Sequence, residues 1–269
     1  MDIFLLITMG VIIGIVASLL GLGAGILSLL ALAYYIEPMG FDDYNLVRVI
    51  LANNGLLMGV FFFAMTIRHM LAGRVPLVPV IKITGASLPA ALGIAWMISR
   101  YDWFTPNLFY IIFCLGLGFS IYTLLTHTES SFLESCQHEG QERNWKFLSI
   151  GVISGVFQGF TATESSTIVV PFINRLCNVK IEKAIVAATA SIAPTLLAAS
   201  LVLFTGISES TAVPVLWSII GPLSAGTIIG FFIPFGTLNK IGLKLASYTF
   251  SFFLLIITIR ILVLEVFYY

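Results

Sequence analysis

Charge is what this sequence lacks most. Charged residues fill 10% of its 269 positions, with 13 basic and 13 acidic side chains and no formal net charge. Soluble domains carry about a quarter, so this chain cannot cover a surface that faces water. The even balance also removes any basic footprint for nucleic acid. Cysteine is scarce: Cys114, Cys136 and Cys177 are isolated, odd in number and without CxxC spacing. That argues against a disulfide framework or a zinc site. His69, His127 and His138 fall in loops or at segment ends without ligand spacing. No Ser/His/Asp arrangement, HExxH motif or pair of intramembrane aspartates is present, so the sequence speaks against an enzyme and calls for no cofactor or metal. It also lacks a nucleotide-binding motif that would drive transport.

What is present is apolar sequence. Hydrophobic residues make up 59% of the chain, and mean hydropathy is +1.05. Apolar segments run over 2–36, 45–67, 76–98, 106–126, 147–174, 181–204, 212–235 and 243–267. Most are long enough to cross a bilayer core of about 30 Å. An integral membrane protein is therefore expected. The first segment has no basic region before it and outruns a signal-peptide core, so no cleaved signal peptide is expected. One sizeable polar stretch, 127–146, reads as a central linker between a first half, 1–126, and a second, 147–269.

The halves echo each other. Gly10-Val-Ile-Ile-Gly14 and Gly151-Val-Ile-Ser-Gly155 lie 141 residues apart, and Val78-Pro-Val80 and Val213-Pro-Val215 lie 135 apart. The offset of 141 also lays Gly21-Leu-Gly-Ala-Gly25 onto Ala162-Thr-Glu-Ser-Ser166. Both stretches interrupt an apolar segment. The first such segment would extend ~52 Å as one straight helix, too far for a single crossing. Each broken segment either crosses once with a kink or turns back to the side it entered. Positive charge discriminates, because cytoplasmic loops hold most of the Lys and Arg. If both turn back, Arg68, Arg74, Arg143, Lys146, Arg175, Lys180, Lys183, Lys240 and Lys244 share one face, against Arg48 and Arg100 on the other. Eight plain crossings would divide the same charges four against seven, a weak bias. The expected fold is an all-α membrane protein of two inverted repeats. Each is a re-entrant broken hairpin plus three transmembrane helices, with both chain ends outside.

A break exposes backbone groups that lipid cannot satisfy, so it survives only within protein or beside water. The helix that restarts presents free N–H groups and the positive end of its dipole, which suits an anion. Gly21, Gly23, Ala24 and Gly25 would let an anion approach the first backbone closely. Thr161, Thr163, Ser165 and Ser166 add hydroxyl donors at the second. Two such ends meeting at mid-membrane would hold one small oxyanion. Glu164 sits in the second break, and burial and a nearby anion both raise a carboxylate's pKa. It either accepts a proton as the anion binds or serves as a helix cap or a buried partner of Lys82 or Arg260. Intramembrane acids default to function. Lys82 either snorkels to the surface or attracts anions. Asn53 and Asn54 in the second segment, their counterparts Thr189 and Ser191, and Gln158 are either interhelical hydrogen bonds or ligand contacts. Prolines 79, 89, 171, 194, 214, 222 and 234 fall within or at the ends of segments, where they kink packed helices.

With these paired glycine-rich openings, the chain resembles the sulfite exporter TauE/SafE family, whose pattern is roughly GxGGGxxxxPxL. The first copy is Gly21-Leu-Gly-Ala-Gly-Ile-Leu-Ser-Leu-Leu30, with Ala24 for a glycine and Leu30 for the proline. The second, Ala162-Thr-Glu-Ser-Ser-Thr-Ile-Val-Val-Pro171, keeps the proline and loses the glycines; Glu164 stands where the pattern has one. The resemblance implies transport of small sulfur-containing anions, such as sulfite or organosulfonates, through a bacterial inner membrane. Partners are then the anion, the bilayer and protons; a homodimer is compatible with the sequence. A channel, or a scaffold whose breaks only pack helices, is the alternative.

Overall fold

The computed structural model describes residues 3–20, 24–130, 143–177, 179–206, 213–233 and 240–261. Among them are ten α-helices and no strand. They are α1 (Ile3–Leu20), α2 (Ala24–Ile36), α3 (Asp43–Leu71), α4 (Leu77–Arg100), α5 (Pro106–Ser130), α6 (Arg143–Thr161), α7 (Ser166–Cys177), α8 (Ile181–Thr205), α9 (Trp217–Phe232) and α10 (Lys240–Ile261). Both broken segments are divided: α1 ends at Leu20 and α2 starts at Ala24, while α6 ends at Thr161 and α7 starts at Ser166. Gly21 and Gly23 lie outside the described residues.

Helix ends follow local chemistry. Pro106 opens α5, where its missing N–H costs nothing and its fixed φ suits a helix. Gly40, at φ 76, closes the single 3-10 turn Glu37–Met39 in the left-handed region. Two boundaries differ from the sequence reading. α5 reaches Ser130 and α6 begins at Arg143, so helix takes up both ends of the stretch read as linker. α9 starts later than the apolar run at 212, because Val213–Leu216 stays non-helical. A residue before proline is pushed out of the α region. The freed backbone groups there find a side chain instead: Asn53 Nδ2 donates to Pro214 O at 3.1 Å, and Leu216 N donates to Asn53 Oδ1 at 2.9 Å.

Glycine sets the closest packing. An added Cβ at Gly10 would stand 2.4 Å from Leu223 O, and one at Gly14 would stand 2.1 Å from Thr227 O. From the other side, an added Cβ at Gly226 would stand 2.2 Å from Ile7 O, and one at Gly230 would stand 2.1 Å from Val11 O. Thus α1 and α9 touch backbone to backbone and run in the same direction. α6 meets α4 in the same manner: an added Cβ at Gly151 would stand 2.5 Å from Ile83 O, one at Gly155 would stand 2.2 Å from Ser87 O, and Gly159 faces Ile94. Those two helices are also parallel. Such small-residue seams replace the hydrophobic drive that lipid removes.

Two further directions follow from side chains. Near its start α3 reaches Leu216, before α9. Further along, Phe61 meets the Phe231 ring at 5.5 Å, and Arg68 lies over the Phe231 and Phe232 rings at 5.3 and 5.4 Å. So α3 and α9 run alike. By contrast, Gly55 faces Ser200 and Gly59 faces Leu197, which sets α3 against α8 in opposite directions.

α3 and α8 bury most of their length, whereas α4 buries little of its own. Outward positions are apolar, among them Phe4, Ile12, Leu77, Ile81, Phe252 and Ile256. Helices Asp43–Leu71, Leu77–Arg100 and Glu182–Thr205 are long and apolar enough to cross a bilayer, and several shorter ones are equally apolar. Among the described residues, one cation is interior. Arg48 is 5% exposed; its Nε donates to Ile98 O at 2.9 Å and its Nη2 to Asp102 Oδ1 at 2.7 Å. It ties the start of α3 to the carbonyl end of α4, where a positive charge is favoured.

Candidate functional site

α6 stops because Ala162 adopts φ 47, a left-handed conformation. A residue with a Cβ is strained there by about 1–2 kcal/mol. Ala162 N donates to Gln158 O at 2.8 Å, closing the turn, and α7 restarts with Val169 N donating to Ser165 O at 2.8 Å. Every residue from Thr161 to Ser166 is buried, so this break is enclosed by protein, as its backbone requires.

Its hydroxyls largely satisfy one another. Thr161 Oγ1 donates to Phe157 O at 2.8 Å and lies 2.8 Å from Thr163 Oγ1. Ser154 and Ser165 hydroxyls are 2.5 Å apart, and Gln158 Nε2 donates to each at 2.7 Å. Two polar atoms here have no partner among the described residues: Ser166 Oγ and Gln158 Oε1. Ser166 is the first residue of α7, where backbone N–H groups lack helical partners.

Glu164 reaches across to the first half. It is 2% exposed, the one buried carboxylate among the described residues, and its Oε2 accepts a hydrogen bond from Gly25 N in the first turn of α2. A carboxylate at a helix start is stabilised by the unpaired N–H groups and the dipole. Glycine is needed at this approach: a Cβ at Gly25 would stand 2.7 Å from Oε2 and 2.8 Å from Glu164 N.

Asn54 fastens the same junction from α3. Its Nδ2 donates to Ala162 O at 2.8 Å, and its Oδ1 accepts from Ser28 Oγ at 2.6 Å. Ser28 Oγ also contacts Gly25 O at 3.0 Å. The start of α2, the second break and the middle of α3 therefore form one polar cluster. Beside it lies a narrow crevice with no room for a water molecule, lined by Ile26, Phe113, Leu117, Phe157, Thr163 and Glu164 among others.

The other residues singled out in the sequence stand apart from it. Asn53 gives its donors to Val49 O and Pro214 O and its acceptor to Leu216 N, so its amide is committed to holding the entry into α9. Ser191 Oγ donates to Ala188 O within its own helix at 2.8 Å, and Thr189 is buried on the same helix. Lys82 donates to Asn144 Oδ1 at an exposed position, and Arg260 is exposed. Three contributors escaped the sequence reading. Ala162 could have been found, since the offset of 141 lays it on Gly21 and a glycine there marks a left-handed turn. Ser154 lies one helical turn before Gln158, a spacing that puts both on one face. Ser28 is a lone hydroxyl in an apolar helix, and the same offset lays it on Val169.

The model of the sulfite exporter TauE/SafE family matches residues 6–261. No curated protein and no solved structure matches the chain.

Proposed function

The chain belongs to the sulfite exporter TauE/SafE family of membrane transporters, and from that premise we propose that it is a secondary transporter of a small sulfur-containing oxyanion or organosulfonate. Transport proceeds by alternating access in a bacterial inner membrane and is coupled to protons through Glu164. The observation that carries the reading is the junction of Gly25, Glu164, Ala162 and Asn54, where the two interrupted segments meet in the protein interior. The anion is held between the starts of α2 and α7, with Gly21, Gly23, Ala24 and Gly25 on one side and Thr161, Thr163, Ser165 and Ser166 on the other.

Helix directions support the inverted-repeat arrangement. α1 and α3 both run with α9, and α2 alone separates them in the chain. That requires α2 to return toward the side α1 came from. α6 runs with α4, and α8 runs against α3. If the short turn between α3 and α4 reverses the chain, α7 must return as well. Each half is then a hairpin and three crossings, and both chain ends lie outside. The exchange of partners, α1 with α9 and α6 with α4, is what a two-fold axis in the membrane plane would produce.

Purified protein in proteoliposomes with an imposed pH gradient tests this. Sulfite or a sulfonate should accumulate above its external concentration, and Glu164→Gln should remove the dependence on the gradient. Flux that only equalises concentrations would point to a channel. No flux of any anion would leave the scaffold reading standing.

A further inference from the structure

We infer that the Glu164 carboxylate is a tethered competitor for the transported anion: it fills the amino end of α2 while the site is empty and must leave when an anion arrives. The inference rests on the anion-carrier reading above. Glu164 Oε2 accepts from Gly25 N, which is the contact an oxyanion at that helix start would make. The place admits one occupant. A single added carbon on residue 25 would already lie 2.7 Å from Oε2. Two negative charges at this separation, with no bulk water between them, repel strongly. The crevice beside Glu164 is walled largely by the apolar Ile26, Phe113, Leu117 and Phe157, and a low local dielectric strengthens that repulsion.

The start of α7 is different. Its first residue, Ser166, holds a buried hydroxyl with no partner among the described residues. An arriving anion thus finds one donor set open and one taken by the protein's own carboxylate. The Glu164–Gly25 bond also joins the two halves of the chain. Loading therefore breaks a cross-half contact, which ties occupancy to the freedom of the two breaks to separate.

The test compares wild type with Glu164→Gln, which keeps an acceptor for Gly25 N–H and the side-chain shape while removing the charge. Thermal unfolding of the purified full chain is followed against sulfite, sulfate, thiosulfate and methanesulfonate. For an anion that stabilises wild type, the half-saturating concentration should fall about ten- to a hundredfold in the variant. An equal or higher value would overturn the competitor and leave the carrier reading intact. Stabilisation of neither protein by any of the four would overturn both. Should the variant not purify as folded protein, infrared difference spectra of wild type decide. Adding the anion should shift a buried carboxylate stretch, and an unmoved band overturns the inference.

Discussion

At the first break the chain offers glycine and bare backbone; at the second it offers hydroxyls, an amide and a carboxylate. Both interruptions occupy the same place in their halves, yet they meet the same demand by opposite means. A glycine-rich start to α2 has no side chain of its own to satisfy its amides, so it takes Glu164 from the other half. The second break pairs Thr161 with Thr163 and Ser154 with Ser165 and Gln158, and extends its carboxylate to the first. The comparison teaches that the two breaks are one structure. What the two breaks share at the centre is the hydrogen bond from Gly25 N to Glu164 Oε2.

Asn54 offers the hardest blow to that union. Asn54→Leu would strand Ala162 O in a buried junction and leave the Ser28 hydroxyl with Gly25 O alone. Stranding a buried polar group costs about 1–3 kcal/mol, and the second lost hydrogen bond about 1 kcal/mol more. Thermal unfolding in detergent should show a fall of roughly 2–4 kcal/mol in stability, with transport lost. A variant as stable as wild type would mean the breaks hold together without α3.

A matched pair of alanines would sharpen the contrast. Gly25→Ala drives a methyl into Glu164 Oε2 and N at 2.7 and 2.8 Å, an overpacking that costs about 1–3 kcal/mol. Ser166→Ala removes a hydroxyl with no partner, so stability should hold or rise by up to about 1 kcal/mol. Its half-saturating anion concentration should nevertheless increase about tenfold, as expected for one lost hydrogen bond to a charged ligand. One substitution destabilises the empty protein and the other weakens the loaded one. Equal behaviour of the two would abolish the distinction between a filled and an open helix start.

Hydropathy located the helices because lipid demands long apolar runs, and the interruptions stood out against them as glycine or hydroxyl clusters. Glu164 stood out because an intramembrane acid is costly. Its partner did not, since Gly25 lies 139 residues away in the chain and contributes only a backbone N–H. Asn53 and Asn54 look interchangeable in sequence. On a helix neighbours point about 100° apart, so one faces the entry to α9 and the other the junction. The helical ends of the polar stretch 127–146 were hidden for a related reason: hydropathy reports where lipid ends, and a helix can continue into water.

The smallest change tests the symmetry of the breaks from the backbone side. Ala162 holds φ 47, and the position 141 residues earlier is Gly21. Ala162→Gly makes the second break resemble the first without touching any hydrogen bond, because Asn54 binds the carbonyl and Gln158 receives the N–H. Relief of left-handed strain should raise stability by about 1 kcal/mol. Part of that gain is offset by the greater freedom of glycine in the unfolded chain. The measurement is the unfolding midpoint in detergent, with anion affinity as the control. A rise with unchanged affinity would mean that alanine is tolerated at a turn built for glycine. A fall would mean that the alanine methyl, which faces Gly55 of α3, contributes more to the seam between α3 and the break than the strain removes.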